Sequence, residues 1–486
     1  MALPDPVPVA ELFTPPARAA VSLSPDGTQI AYLAPWMGQP NVWIEGIDTP
    51  EDVRCLTREA RGVHRYYWTS DPRWVLYTRY QESHGRWHLY RIDQHAPDAE
   101  PVDLTPGSLT RVLHIDLPPG RPNKAIIQVN LRDPAEYDLM ELDIATGELA
   151  IVVEKFGGHG WLYSNSMVFR STTRVDGNLE LSRRNRRTGA TPPLVVFDGT
   201  DHPVGIYPME ITPDGTGVWV GSNRGTDRTR LVRVDLGTGE ETEVDSHPVY
   251  DLDVRAGVLP QLPSPLIRRR STGELIGARY LGERQVIHAL DPHFADVLKN
   301  LEKLHDGDID ALGSDLDERH WVVTFTHDRD PVTFYYHHAT GEARMLFRNR
   351  PNLDPAELAP MVPVTITARD GLPLPSYLTL PVGIEPDRLP MVLLVHGNPW
   401  IRGSWCFDPV VQFFANRGYA VLQVNFRGST GYGKAFARAA IGQFVSKMHD
   451  DLVDGVRWAV AKGYADPDRV AILGESCGRY AALQGV

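Results

Sequence analysis

One pentapeptide near the end of the printed sequence, Gly474-Glu475-Ser476-Cys477-Gly478, has the residue types and spacing of a nucleophilic serine site. It follows the apolar run 470–473 and precedes a helix-like segment that begins near Tyr480. In such a strand–turn–helix unit the serine occupies a sharp turn that exposes its hydroxyl, and the glycines let strand and helix approach each other. The pattern predicts that Ser476 attacks a carbonyl carbon while the N–H of Cys477 faces the developing oxyanion.

A second loop has the composition to complete this site. His396-Gly397-Asn398-Pro399-Trp400 follows the apolar run 392–395. Hydrolases with such a serine turn place their second oxyanion donor in a glycine-containing loop after an earlier strand. We therefore expect the N–H of Asn398 to be that donor. The alternative is a loop that needs glycine and proline only for its shape.

The elements that must position these loops alternate between strand and helix from about residue 351 onward. Apolar, β-branched runs predict strands, and apolar residues at helical spacing predict helices. Alternation of this kind is typical of a mostly parallel sheet with both faces covered. The predicted strands are 364–368, 377–380, 391–395, 421–424 and 470–473, and the predicted helices are 407–417 and 449–461.

The first two thirds of the chain instead contain short β-segments separated by turns. Strand-like segments that end in a polar residue before a turn recur every 42 to 56 residues, at Asp48, Asp93, Asp143, Asn185, Asp235, Asp291 and His337. This interval approximates the 40–50 residues of a four-stranded propeller blade. A β-sandwich is the alternative, but it needs only about 100 residues, and this pattern continues for over 300. The sequence therefore predicts an all-β propeller of about seven blades.

Composition restricts the function. The 486 residues carry 49 Lys and Arg against 62 Asp and Glu, a net charge of −13, which disfavours binding to nucleic acid or to anionic membranes. The apolar runs are too short for a membrane helix, and the first residues have no pattern of a secretory signal. The three cysteines are too widely spaced for a disulfide framework or a zinc site. We expect a soluble, cytoplasmic protein, with neither a metal nor a cofactor.

The segment from about residue 358 onward resembles the catalytic domain of the prolyl oligopeptidase family of serine peptidases, especially its acylaminoacyl-peptidase and dipeptidyl-peptidase-like branches. That family also carries an N-terminal propeller of seven or eight blades, so the resemblance covers essentially the whole chain. It implies cleavage of short peptides, with the propeller filtering substrates by size. The matching segments are Ala368-Arg-Asp-Gly371, Val395-His-Gly-Asn-Pro-Trp400, Asn425-Phe-Arg-Gly-Ser-Thr-Gly-Tyr-Gly433, Ala465-Asp-Pro-Asp-Arg-Val470 and Gly474-Glu-Ser-Cys-Gly478.

Two residues depart from the pattern of the family. Asn398 stands where the family usually has the second glycine of His-Gly-Gly-Pro, and Arg479 stands where it has a second glycine after the nucleophile. The family's triad also runs Ser, Asp, His along the chain. The ten residues after Ser476 include no Asp, Glu or His. We therefore expect 1–486 to be C-terminally truncated, to lack the triad Asp and His, and to be inactive by itself.

These observations predict an N-terminal propeller with a short leading segment at 1–355 and a partial, incomplete α/β-hydrolase domain at 356–486. Two alternatives to a serine peptidase stay open. An esterase or acyl-peptide hydrolase would use the same serine, because the elbow does not encode the acyl group. A non-catalytic propeller that binds partners and carries a hydrolase remnant is the other alternative. The sequence does not indicate the preferred substrate residue, exo- or endopeptidase action, or the oligomeric state.

Overall fold

A computed structural model describes residues 3–81, 86–96, 100–154, 160–164, 167–183, 193–203, 205–398 and 400–484. Seven consecutive antiparallel sheets of four strands each come first, and a five-stranded sheet with helices follows. The seven sheets confirm the predicted seven-bladed propeller. Its last strand ends at Arg348, and the first strand of the second region begins at Met361.

The strands of the propeller are short, as the frequent turn residues of the sequence predict. In order along the chain the seven blades are β1–β4 (Ala19–Leu23, Gln29–Trp36, Gln39–Gly46, Arg54–Cys55), β5–β8 (Val63–Trp68, Trp74–Gln81, Arg86–Asp93, Val102–Asp103), β9–β12 (Val112–Asp116, Lys124–Asp133, Glu136–Asp143, Leu149–Val153), β13–β16 (Gly160–Ser164, Met167–Thr173, Leu179–Arg183, Pro193–Phe197), β17–β20 (Met209–Ile211, Gly217–Ser222, Arg230–Asp235, Glu241–Asp245), β21–β24 (Asp251–Leu252, Leu266–Arg268, Leu275–Leu281, Gln285–Ala289) and β25–β28 (Asp308–Ser314, His320–Thr326, Val332–His337, Glu342–Arg348).

The repeat found in the sequence corresponds to the third strand in most blades. The four strands β7, β11, β19 and β27 end at the predicted residues Asp93, Asp143, Asp235 and His337. Asp48 follows β3 by two residues, whereas Asp291 comes after β24 in the irregular sixth blade. In the turn that follows β11, the backbone N–H of Thr146 donates to Asp143 Oδ1 at 2.9 Å. This bond, together with Lys124, lowers the pKa of Asp143 to about 2. The polar residue therefore recurs because its side chain holds the turn to the fourth strand. Asn185 lies outside the described residues.

The sixth blade is irregular. Its strands β21 and β22 both pair with one side of β23, while β24 pairs with the other side. A single turn of 3₁₀ helix, Arg255–Gly257, interrupts the first two, and helix α2 (Pro292–Leu301) packs next to β24. The Asp291 side chain caps α2 by accepting from Phe294 N.

The second sheet has the order β29-β30-β32-β31-β33. Only β32, β31 and β33 run parallel, so the expectation of a mostly parallel sheet is wrong for the other edge, where a hairpin turn joins β29 and β30. All five predicted strands are present: Met361–Thr367 (β29), Pro373–Thr379 (β30), Leu389–Val395 (β31), Ala420–Val424 (β32) and Ala465–Gly474 (β33).

Helices cover both faces of this sheet. On one face α3 buries Val411 in a cluster with Met361 and Val421, and on the other α5 buries Leu452 in a cluster with Leu422. Buried apolar contacts on both faces make this region one α/β layer structure. The helices are α3 (Pro409–Ala415), α4 (Lys434–Arg438), α5 (Lys447–Ala461) and α6 (Cys477–Gln484), of which α3 and α5 correspond to the two predicted helices.

The first residues of the chain pack against the second region rather than against the propeller. Helix α1 (Val9–Phe13) precedes β1, and the N–H of Val7 donates to Asn416 Oδ1 at 2.7 Å. The Arg417 guanidinium returns a bond to the carbonyl of Val7. The chain therefore starts beside helix α3, forms the propeller, and then returns to the second region.

Candidate active site

Ser476 lies at a left-handed turn between β33 and α6. Its φ is +54°, a conformation that costs a non-glycine residue free energy and is common at functional turns. The close approach of strand and helix depends on the two flanking glycines. A Cβ on Gly474 would lie 2.7 Å from the Cα of Gly478, and a Cβ on Gly478 would lie 2.5 Å from the carbonyl oxygen of Val395. The Ser476 side chain is exposed at the tip of this turn.

The loop that follows β31 lies directly against the serine. A Cβ on Gly397 would lie 3.2 Å from the Cβ of Ser476 and 3.1 Å from the carbonyl of Glu475. The structure thus brings together the predicted residues Ser476, Cys477 and Asn398. Within the described part of the chain, neither the Asn398 nor the Cys477 N–H donates a hydrogen bond, so both are free to bind an acceptor. Pro399 lies outside the described residues.

The backbone conformation at position 398 explains why an asparagine can occupy it. Its φ is +35°, near the left-handed region that favours glycine and in which asparagine is the best-tolerated alternative. Its side-chain Oδ1 accepts from the N–H of Trp400 at 3.1 Å, which holds the loop in a tight turn. Asn398 can therefore stand where a family member has glycine without a change in the course of the loop. Arg479, the second departure, has an exposed side chain on α6 and does not crowd the turn.

His396 is engaged away from the serine. Its ring stacks on Phe426 with the centroids 4.4 Å apart, its Nδ1 lies 2.9 Å from the carbonyl of Gly397, and its Nε2 lies 3.0 Å from Ser429 Oγ. Burial lowers its pKa to about 4, so the ring is neutral and has one N–H. The Ser429 hydroxyl itself donates to the carbonyl of Phe426 at 2.7 Å, so its one proton is already used there. Both ring nitrogens therefore contact groups other than the Ser476 hydroxyl.

Arg402, which the sequence did not indicate, ties this loop to the propeller. Its buried guanidinium donates from Nη2 to the carbonyl of Gly282 at 2.8 Å and to the hydroxyl of Tyr377 at 3.2 Å. The guanidinium carbon also lies 4.1 Å from the ring centroid of Tyr432. In the sequence, only the position of Arg402 two residues after Trp400 connects this arginine with the serine loop. The loop is therefore held from the propeller side as well as from its own strand.

A buried ion-pair network joins two of the sequence motifs. Arg427 lies between Asp370 and Asp451, with its Nη1 2.9 Å from Asp370 Oδ2 and its Nη2 2.6 Å from Asp451 Oδ1. Arg427 holds the pKa of Asp370 well below its usual value. Asn425 of the same motif accepts from Gly403 N at 2.7 Å. These residues therefore shape the framework around the serine and do not reach its hydroxyl.

The interface between the propeller and the α/β region is polar. The N–H of Gly433 donates to Asp251 Oδ2 at 2.6 Å, and the Lys434 ammonium lies 2.8 Å from Asp201 Oδ1. Beside the serine loop, the Arg255 guanidinium donates to Ser404 Oγ at 3.0 Å. On the propeller side these contacts come from the loop between β16 and β17, from the first residue of β21 and from the 3₁₀ turn that follows β21. Blades four to six thus carry these three contacts.

Within the described ranges, no group of three His, Cys, Asp or Glu side chains is arranged to hold a metal ion. The three cysteines are free thiols, and burial raises the pKa of Cys406 to about 12. No helix among the described residues is long and apolar enough to cross a membrane.

A seven-bladed propeller, followed by an α/β sheet that carries an exposed serine in a left-handed strand–helix turn, defines a two-domain serine hydrolase architecture. Residues 405–485 match the family model of the prolyl oligopeptidase family. The chain is 34% identical over 491 residues to dipeptidyl aminopeptidase BIII of Pseudoxanthomonas mexicana, an alignment that covers 98% of this chain and 68% of the relative. The chain belongs to the prolyl oligopeptidase family of serine peptidases.

More distant proteins agree with this assignment. Dipeptidyl peptidase family member 6 of Caenorhabditis elegans is 26% identical over 520 residues, which covers 99% of this chain and 68% of that protein. The crystal structure of a puromycin hydrolase superposes with a TM-score of 0.73 at 20% identity, over 99% of this chain and 77% of that one. At this identity the structural likeness shows the fold alone.

Proposed function

We propose that this protein is a serine-type peptidase of short peptides and that Ser476 is its nucleophile. The observation that carries the proposal is the contact between two loops. Ser476 is exposed in a left-handed turn, and the Gly397 backbone lies close enough that a methyl group there would touch the serine Cβ. This arrangement supplies a nucleophile and two free N–H groups, of Asn398 and Cys477, within one site.

In the proposed reaction the Ser476 oxygen bonds to the carbonyl carbon of a peptide, and the carbonyl oxygen becomes an oxyanion that accepts from the two N–H groups. The C–N bond then breaks, the amine leaves with a proton, and water later hydrolyses the acyl-enzyme. A histidine must accept the hydroxyl proton and pass it to the amine. Within the described residues no imidazole contacts the Ser476 hydroxyl, and we infer that 1–486 by itself turns over peptides slowly.

We propose further that the propeller limits access to Ser476 by substrate size. Support comes from the contacts of Arg402 and Arg255, which join the two regions next to the serine loop. A large folded substrate would have to break these bonds to reach the site. A cytoplasmic location and peptides as the binding partners belong to the same proposal.

Labelling with a fluorophosphonate tests the nucleophile. The protein is treated at pH 9, where hydroxide compensates for a missing base, and the adduct is located by peptide mass spectrometry. We expect Ser476 to react at least about tenfold faster than the exposed Ser446, because the two N–H groups stabilise the phosphonate oxygen. Labelling of Ser446 as fast as Ser476 would instead favour the non-catalytic binding protein.

Substrate class is tested with matched leaving groups. Peptidase action predicts turnover of a dipeptidyl anilide, acyl-peptide hydrolysis predicts turnover of a blocked aminoacyl anilide, and an esterase cleaves only the corresponding simple ester. The dipeptidyl substrate is chosen because one relative is named a dipeptidyl aminopeptidase. Cleavage of the simple ester alone, with neither anilide cleaved faster than in buffer, would exclude a peptidase.

A further inference from the structure

The propeller contains a cavity of about 450 Å³ at the end of its channel that faces away from the α/β region. Residues of the innermost strands and of the turns that follow them line this cavity, among them Leu23, Tyr67, Trp68 and Arg270. Such a volume lies within the range of sites for small ligands. The proposed active site does not use it.

The direction of strand β23 shows where the cavity lies relative to the serine loop. β23 starts at Leu275, beside the cavity, and ends at Leu281, next to the Gly282 carbonyl that accepts from Arg402. A strand of seven residues spans about 20 Å. The cavity and the serine loop therefore lie at opposite ends of the sixth blade.

The loop between β22 and β23 reaches across the far end of the channel. A Cβ on Gly273 in this loop would lie 3.0 Å from the Cγ of Pro119, which belongs to the third blade. The third and sixth blades lie across the channel from each other in a ring of seven. Both Gly273 and Pro119 line the cavity, so the loop borders it at this end.

Arg270, in this loop, presents unsatisfied donors to the pocket. Its Nη1 donates to the carbonyls of Leu23 at 2.8 Å and Ser314 at 2.9 Å, which fixes the plane of the guanidinium. Its Nε and Nη2 make no hydrogen bond to a described residue, and Arg270 lines the cavity. Burial lowers the pKa of Arg270 to about 10, which leaves it cationic at neutral pH.

Two carboxylates near this guanidinium, Asp26 and Asp315, favour its charged form, but neither forms an ion pair with it. Arg269 is paired with Glu274 and Glu318, and Arg268 with Glu210. No carboxylate of the described residues forms an ion pair with Arg270. Two nearby acids are held by other donors: Asp26 Oδ1 accepts from Thr28 N at 3.2 Å and from two hydroxyls, and Asp315 Oδ1 accepts from the N–H groups of Arg319 and His320.

We propose that this pocket binds the C-terminal carboxylate of a short peptide, with the carboxylate on the Nε and Nη2 of Arg270. A guanidinium with two parallel donors matches the two oxygens of a carboxylate. The apolar part of the wall, formed by Tyr67, Trp68, Leu117 and Leu312, suits the side chains that precede the carboxylate. A phosphate has the same oxyanion chemistry, but it has no apolar part to contact this wall. The choice of a peptide rests on the proposed function.

Calorimetry with two peptides tests the site. Acetyl-Ala-Leu-Phe is titrated as the free acid and as the amide into the full chain that carries Ser476→Ala, so that binding does not depend on turnover. We expect the acid to bind at least about tenfold more tightly than the amide, because only the acid forms charged hydrogen bonds. Equal affinity of acid and amide overturns the proposal, whatever any variant of Arg270 does.

Two variants locate the binding. Arg270→Met should lower the affinity for the acid to that of the amide, and Arg270→Lys should restore part of it, with the thermal unfolding of each recorded as a check of the fold. Arg319→Met is the matched control: this arginine is exposed on the turn after β25 and lies outside the pocket. Undiminished binding to Arg270→Met overturns the site. Inorganic phosphate that displaces the acid at equal concentration overturns the peptide as its ligand.

The outcome is independent of the nucleophile assignment. The fluorophosphonate adduct reports on Ser476 at the far end of the blade, and the calorimetry reports on Arg270. An adduct at Ser476 without carboxylate-dependent binding contradicts only the pocket. Carboxylate-dependent binding without an adduct contradicts only the proposed reaction.

Discussion

The Arg402 guanidinium donates to the Gly282 carbonyl at 2.8 Å and thereby joins the serine loop to the sixth blade of the propeller. Arg402 also donates to the Leu281 carbonyl and to its own neighbour Gly403, and Tyr432 covers its face. A buried cation whose donors are satisfied mainly by carbonyls fixes geometry without forming an ion pair. The position of Asn398, four residues earlier, therefore depends on how the propeller docks.

Arg402→Met should destabilise the protein by about 1–3 kcal/mol, because it leaves the Gly282 carbonyl buried without a donor. Chemical denaturation measures the change in the free energy of unfolding. The control is Arg457→Met on α5, whose side chain is 70% exposed and lies 3.9 Å from Asp454 Oδ1. We expect that variant to stay within about 0.5 kcal/mol of the wild type. Equal effects of the two substitutions would show that Arg402 does not hold the interface.

Gly478→Ala should cost about 1–3 kcal/mol, since the new Cβ would lie 2.5 Å from the Val395 carbonyl, a backbone atom that cannot rotate away. The gain of up to about 1 kcal/mol from alanine in a helix is too small to offset this overlap. Gly313→Ala is the matched control, because nothing lies within 4 Å of a Cβ at that strand position. A Gly478→Ala protein as stable as the wild type would mean that strand and helix are farther apart than described.

The neutral state of His396 predicts a pH dependence of stability. Burial lowers its pKa from 6.5 to about 4 in the folded protein. Above pH 6.5 the His396 ring is neutral in both the folded and the unfolded state, so its contribution to the free energy of unfolding is complete. Below pH 6.5 the ring becomes protonated in the unfolded chain but stays neutral in the folded protein. Stability is therefore lost as the pH falls from 6.5 to 4, by up to about 3 kcal/mol.

His396→Gln removes this titration and keeps a polar side chain beside Ser429. We expect the free energy of unfolding of the wild type to fall more steeply between pH 6.5 and 4.5 than that of the variant. Urea titrations at four pH values in this range measure both curves. Curves that stay parallel would assign the acid sensitivity to other groups.

Much of the architecture follows from short-range patterns. The polar residues Asp93, Asp143 and Asp235 predict the ends of third strands, because each side chain stabilises the turn that follows. A turn that depends on neighbouring residues can be predicted from the local sequence. The direction of β29 and β30 was not predictable from alternation, since a strand joined by a hairpin and one joined by a helix have similar composition.

The site was predictable only in part. Ser476, Cys477 and Asn398 come from loops with recognisable glycines, and the structure places these loops side by side. Arg402 was missed because its partners are backbone carbonyls 120 residues away, which carry no side-chain signal. Arg270 was missed for the same reason, since the carbonyls of Leu23 and Ser314 fix it. A contact between a side chain and a distant backbone atom cannot be predicted from residue type alone.

Residues 1–486 by themselves should hydrolyse a peptide anilide no faster than an enzyme without a triad. A serine hydroxyl needs a hydrogen-bonded base at neutral pH, and among the described residues His396 instead contacts the Gly397 carbonyl and the Ser429 hydroxyl. In a comparable protease, loss of the triad lowers kcat by about 10⁶ and leaves a residual enhancement of roughly 10³–10⁴. Once the base is absent, removing the serine lowers the rate only a little further, because triad residues act as a unit.

The measurement is kcat/KM of the wild type and of Ser476→Ala on the same dipeptidyl anilide at matched folded concentration, and we expect values within about threefold of each other. A fall of several orders of magnitude in Ser476→Ala would show that a base does reach Ser476 within this chain, and the assignment of His396 to a purely structural role would then be wrong.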